Sequence, residues 1–313
     1  MMTMPRLTSI VLLAWGFCLI QPIPHSAQIF SKAGRTQFLG GLGIRSFYQQ
    51  VRKETLFRGT DEIADPLNRD VRVEMWPFVV GYGLTPQTML LGVLPHVEKR
   101  LTSHSGGNTT ILGTNGFGDV TLLARHRLRT WTYPQGLAIV AVEGGVKLPT
   151  GRDDEIGAGG TQLPPSLQLG SGSWDFPLAF IATYARGRWL STADLRYLYT
   201  NQANGFEFGD EFHYNAMLKY RIWPVQYPGK DTFILLELNG IHEERSEAGG
   251  RAVGNSGGET IFLSPGIQWL PAQNIVLEAG VQLPVYQDRN GMQLGRDVTV
   301  LTGFRWTFLP MRR

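Results

Sequence analysis

Glu211-Phe-His-Tyr-Asn-Ala-Met-Leu-Lys-Tyr-Arg-Ile222 sorts its residues by parity. Phe212, Tyr214, Ala216, Leu218, Tyr220 and Ile222 share one parity, and Glu211, His213, Asn215, Met217, Lys219 and Arg221 share the other. A strand sends successive side chains to opposite faces, so this segment has one oily wall and one polar wall. A soluble sheet points its oily wall into a core. Here the pattern recurs almost to the C-terminus with both walls continuous, as a barrel in lipid requires.

Outward from that segment, the same alternation marks about twelve strands. A Gly-rich first strand is expected over 36–51, with Leu42, Ile44 and Tyr48 opposed to Arg45 and Gln49. Val71 to Val79 and Leu91 to Val97 set apolar odd positions against charged even ones, and 116–128 follows with Leu122 and Ala124 opposed to Arg125 and Arg127. Strands are then expected within 138–147, 174–185, 191–199, 211–222, 234–239, 261–269, 277–283 and 298–308; that at 174–185 is apolar on both faces. Connections alternate short and long, with polar Gly- and Ser-rich loops at 52–68, 102–113, 149–172, 201–209, 246–258 and 287–295. Even strand number, short periplasmic turns and longer outer loops are the pattern of Gram-negative outer-membrane barrels. The fold class expected is therefore all-β: a closed antiparallel up-and-down transmembrane β-barrel of about twelve strands. Trp131, Trp189, Trp223, Trp269 and Trp306, joined by Tyr133, Tyr184 and Tyr227, gather at the short-turn end, as an interfacial girdle does.

Composition agrees. The charged fraction, 18%, falls below the ~25% usual in soluble domains, yet no apolar run beyond the N-terminus reaches the ~18 residues of a membrane helix. Arg6, the apolar stretch 7–20 and a polar exit ending in Ser26-Ala27 read as a secretory signal peptide cut after Ala27, which divides the chain into a leader over 1–27 and a barrel over 28–313. The single cysteine, Cys18, lies in that leader, so disulfides and thiolate metal sites are excluded from the mature chain. The net charge of +3 falls to +2 when Arg6 leaves, too little to imply nucleic acid, and no nucleic-acid motif accompanies it.

The polar parity gives the candidate lumen lining: Arg72, Glu74, His96, Glu98, Arg100, Asp119, Arg125, Arg127, Glu143, Lys147, Asp194, Arg196, His213, Lys219, Arg221, Glu237, Glu278 and Arg305. Mixed signs with an excess of bases suit either a mildly anion-favouring pore or a salt-bridged mesh that narrows it. Within the longest loop, Leu163, Leu167 and Leu169 form an oily run that either folds inward as a constriction or lies on the outer leaflet. Asp153, Asp154 and Glu155 could gather a hard cation, but lack the ligand spacing of a calcium loop. No Gly-x-Ser-x-Gly elbow or His-Glu-x-x-His pair occurs, so no catalytic residue, metal site or cofactor is expected. His126 points outward between arginines without a serine partner in sequence.

Three phrases carry a family likeness: Gly116-Phe-Gly-Asp-Val-Thr-Leu-Leu-Ala-Arg125, Gly145-Val-Lys-Leu-Pro-Thr-Gly151 and Leu169-Gly-Ser-Gly-Ser-Trp-Asp175. In this order the chain resembles the outer-membrane barrels named for the meta-pathway of phenol degradation. The resemblance implies passage of aromatic or other hydrophobic compounds and assigns no functional residue. The chain looks more distantly like the long-chain fatty-acid and toluene transporters, but shows no obvious N-terminal plug. The expected partners are outer-membrane lipid, a small-molecule solute and, during biogenesis, the barrel-assembly machinery. The function expected is a passive outer-membrane channel for small organic solutes, with a closed structural or adhesive barrel as the alternative.

Overall fold

Alternation becomes a wall only if every strand finds two partners, because backbone N–H and C=O groups in lipid have no water to bond. The computed structural model, which describes residues 29–157, 160–224 and 230–308, meets that demand with twelve staves. They are β1 (Leu42–Lys53), β2 (Asp70–Gly83), β3 (Thr88–Ser105), β4 (Thr121–Tyr133), β5 (Gly136–Lys147) and β6 (Phe176–Arg186). The second half comprises β7 (Trp189–Tyr199), β8 (Glu211–Trp223), β9 (Asp231–Glu243), β10 (Gly258–Ala272), β11 (Ile275–Leu294) and β12 (Val298–Phe308). Each stave pairs antiparallel with its sequence neighbours, and β12 returns to β1 with Leu42 opposite Phe308 and Arg52 opposite Val298. The sheet is therefore a closed twelve-stranded antiparallel barrel without a membrane-facing edge.

Three expected boundaries are corrected. The first stave begins at Leu42 rather than Thr36, because Thr36 and Gln37 end a segment inside the lumen and residues 38–41 turn at the rim, where the Gly40 N–H donates to the Gly83 carbonyl. The loop expected at 102–113 is mostly strand: β3 runs to Ser105, turns at Gly106-Gly107 and pairs with Asn108–Phe117. Both glycines hold φ above +50°, as a tight two-residue hairpin turn demands. The loop expected at 287–295 is likewise largely β11, whose far end leaves β12 and pairs with Leu56–Gly59. In both places the polar composition that suggested loops belongs to strands standing in water above the apolar band. The leader, Tyr227 and the last five residues lie outside the described residues.

The lipid-facing surface is banded. Trp131, Tyr133, Tyr184, Trp189, Trp223, Trp269 and Trp306 are all exposed near the short turns. Between them and the outer rim run aliphatic rows such as Leu218, Leu236 and Leu263. One site shows how tightly the wall is drawn. Tyr214 stands opposite Gly240 in the β8–β9 ladder, its ring lies over that glycine, and its hydroxyl donates to Glu259 of β10 at 2.5 Å. A Cβ on residue 240 would meet the ring at 2.0 Å. Such a ring fills the gap that a strand glycine leaves. Gly240→Val should displace Tyr214 and cost about 1–3 kcal/mol of overpacking, read as a lower temperature of conversion from the compact to the unfolded band in a heat-modifiability gel. An unchanged conversion temperature would show that the ring is not held there.

Candidate functional site

Directly paired residues of adjacent strands share a face, so the register assigns every stave an inside. From Arg45, opposite Arg305 and Val79, the inner row passes around the barrel through Val93, Leu123, Glu143, Ala179, Asp194, Asn215, Asn239 and Gln268. Of the residues expected to face the lumen, Arg125, Arg127, Glu143, Lys147, Asp194, Arg196, His213, Lys219, Arg221, Glu237, Glu278 and Arg305 share that inner parity. Asp119 sits at the foot of the loop before β4, where its carboxylate accepts from the backbone N–H groups of Gly151 and Ser171.

Arg72, Glu74, His96, Glu98 and Arg100 are a correction: they face outward. Arg52, Arg72 and Arg100 stand side by side across β1–β3, above Trp76 and His96, whose rings lie 5.8 Å apart on the outer surface. The rule of apolar outside and polar inside fails on β2 and β3 because their upper ends leave the apolar band. Water bathes the outer face there, while the inner row, from Val71 to Val79 and from Val93 to Val97, is itself apolar.

The lumen also holds a segment without a sequence signal. Residues 29–37 thread into the barrel as a strap, fastened by buried carboxylates that accept from its backbone. Glu237, fully buried, accepts from the N–H of Ile29 at 3.0 Å and of Ser31 at 2.8 Å, and from the Ser31 hydroxyl at 2.8 Å. Asp194 accepts from the N–H of Lys32 at 2.8 Å, and the Thr183 hydroxyl from that of Gly34 at 3.0 Å. The Lys32 ammonium pairs with Glu143, which also takes Arg125 at 2.5 Å. Arg125 and Arg45 donate to the carbonyls of Ala33 and Ile29. Ile29 then anchors an apolar cluster with Leu137, Ile139, Leu190, Met217, Leu235 and Leu301, all lumen-facing. The expectation of no N-terminal plug is thus overturned. The inner residues Ala179, Thr183 and Ala185 are small and leave the strap room, and with Ile181 they make the inner face of β6 largely apolar.

Strap and mesh fill the β7–β11 side. Asn239 bonds Asn215, Ser264 and Gln282, and Asn215 reaches Asp194, so each amide is spoken for. The opposite side, along β1–β4, keeps about 490 Å³ of free space between the strap and the wall. Above it, the long loop turns inward. Leu163, Leu167 and Leu169 are buried, and the Lys99 ammonium, on the inner row, donates to the carbonyls of Ser166 and Gln168 at 3.1 and 2.5 Å. Thr114 donates to the Leu167 carbonyl at 2.7 Å, which pins the oily run to the inner side of the raised hairpin. Two of the loop's three carboxylates find separate partners: Asp153 takes Asn204, and Glu155 pairs with Arg152 at 2.9 Å.

The family model described as "Putative MetA-pathway of phenol degradation" matches residues 67–296. Among solved structures, the chain is similar to an outer-membrane channel from Pseudomonas putida F1, with 16% identity and a TM-score of 0.66 over 90% of this chain and 100% of that one. Looser likenesses include the β-domain of the Bordetella autotransporter BrkA, at 10% identity and TM-score 0.47 over 86% and 100% of the two chains. CymD, a monoaromatic hydrocarbon channel, matches at 9% identity and TM-score 0.39 over 89% and 91%. No curated protein matches the sequence.

If buried carboxylates hold the strap, removing one leaves several buried donors without an acceptor, a loss of about 1–3 kcal/mol for each. Glu237→Ala should speed amide hydrogen exchange at residues 29–33 by more than tenfold while the barrel strands stay protected. Unchanged exchange at those amides would mean the strap is fastened elsewhere.

Proposed function

The chain belongs to the family described as "Putative MetA-pathway of phenol degradation", and from that premise we propose that it is a passive outer-membrane channel for small organic solutes, aromatic or otherwise hydrophobic. The observation that carries this reading is the one-sided lumen. A barrel built only to be a rigid plug has no use for about 490 Å³ of free space beside an apolar inner wall of Pro77, Val79, Leu91 and Val93. Aliphatic rows facing a lumen forgo hydration and favour a solute with hydrocarbon surface. The inward-turned run Leu163, Leu167 and Leu169 would then narrow the outer entrance, and the strap would narrow the inner one.

Export by the leader over 1–27, residence in the outer membrane and delivery by the barrel-assembly machinery belong to the same proposal. The packed β7–β11 side favours a second reading, a closed structural barrel acting through its outer loops. The two differ in flux. Purified protein in planar bilayers should give small conductance steps that grow severalfold when residues 29–37 are removed, and that change again when 160–170 are removed. A barrel silent in all three forms, and unable to speed uptake of phenol into proteoliposomes, would leave only the structural reading.

A further inference from the structure

The free space beside the strap has two chemically opposed sides. The wall side presents Phe47, Pro77, Val79, Leu91, Val93 and Leu123. The other side presents six cations, Lys32, Arg35, Arg45, Arg125, Arg196 and Arg305, and one carboxylate, Glu143. Three carboxylates pair with members of that set. Glu143 takes Lys32 and Arg125, Glu278 takes Arg45 at 2.7 Å and Arg305 at 3.3 Å, and Asp194 takes Arg196 at 2.9 Å.

A wider circle keeps the sign. Arg127 and Arg221 join the cations of the periplasmic half, while Asp231 and Glu237 join the carboxylates, so eight positive groups meet five negative ones among the described residues. A fold that wanted only a neutral mesh would match the two signs. In a narrow space bounded by protein, surplus positive charge concentrates mobile anions.

Neither side alone selects a ligand. An inorganic anion satisfies the arginines and wastes the aliphatic wall. A neutral hydrocarbon satisfies the wall and leaves the cation surplus as it was. The molecule that answers both has a compact apolar body and one carboxylate. The volume lies within the about 300–1,000 Å³ range of small-molecule sites. We infer that this space is a binding site for a monoanionic organic acid, with the carboxylate on the Arg45, Arg125 and Arg35 side and the hydrocarbon body against β2 and β3. This deepens the channel reading and rests on it for the route by which the acid arrives. Binding itself is measurable without transport.

The test compares three probes of nearly equal shape: benzoate, benzyl alcohol and benzylamine. Each is titrated calorimetrically into the full-length protein in detergent, and the fold of every variant is checked by heat modifiability. Benzoate should bind about tenfold more tightly than benzyl alcohol, as expected when one charge-assisted hydrogen bond is added. Benzylamine should not bind detectably. Arg35→Gln should weaken benzoate about fivefold by removing one cation, and Leu91→Asn should weaken benzoate and benzyl alcohol alike. Equal affinity for the three probes, or a preference for benzylamine, overturns the inference. So does benzoate binding that neither variant changes. The same probes in proteoliposomes separate the two levels of the argument. Flux of benzyl alcohol without benzoate preference in binding defeats the organic-acid site and leaves the channel standing. Selective benzoate binding without flux of any probe supports the site and defeats the channel.

Discussion

A charge inside a closed wall must find its partner inside the same wall. Water reaches it only through what the barrel leaves open, and removal from water costs an unpaired ion several kcal/mol. Glu237 displays the constraint most plainly. It is fully buried on the inner row of β9, and its oxygens are met by backbone N–H groups of the strap, by the Ser31 hydroxyl and by the Asn239 amide. Without the strap that carboxylate would lose all of these donors but the Asn239 amide, and without the carboxylate the strap would lack its main acceptor. Around this exchange lie Asp194, Asn215, Asn239, Ser264 and Gln282, joined in one continuous network. Satisfied in full, such a network gives the interior a single arrangement; half satisfied, it would be worse than an apolar core.

The wall was legible in the sequence because its cause is local. The period of two is set by strand geometry, and lipid enforces it on every stave, so Glu211–Trp223 reads correctly without knowledge of its neighbours. The inside was less legible. Parity says which residues travel together but not which set faces in, and on β2 and β3 the apolar set does. Trp76 carried the missing signal: on the parity of Arg72 and Glu74, a tryptophan at that height belongs to an interfacial ring, not to a polar lumen. The strap was not legible at all. Its polar contacts are made largely by backbone N–H groups, which leave no mark in the choice of side chain, and its partners lie far away in sequence. Ile29 and Leu235 pack together, yet nothing at either position announces the other.

The interior divides its labour by side. Along β7–β11 the staves offer amides, hydroxyls and carboxylates, and the strap completes them into solid packing. Along β2 and β3 they offer aliphatic rows, which border the free space. The division follows from where the strap's acceptors stand: Glu237, Asp194, Thr183 and Glu143 lie on β9, β7, β6 and β5, so the segment is drawn to that flank and the other is left clear. Placement of four side chains thus decides where a solute has room. The outer loop repeats the logic at the other mouth, where Lys99 and Thr114 hold carbonyls of an oily run above the same clear flank.

The strap has one further consequence, for the order of assembly. It precedes β1 in the chain, yet its anchors lie on β5 to β9, and the seam that closes the cylinder joins β1 to β12. Bringing residue 29 to Glu237 closes a span of 208 residues, an entropic cost that grows only slowly with length but must be met before the contact returns anything. Docking before the last seam closes meets that cost while the far wall is still open; docking afterwards requires the segment to enter through the finished mouth. Either way, the segment ahead of β1 ties the far wall at Glu237 to both strands of the closing seam, through the Arg45 guanidinium on the Ile29 carbonyl and through Leu301 of β12 in the Ile29 cluster.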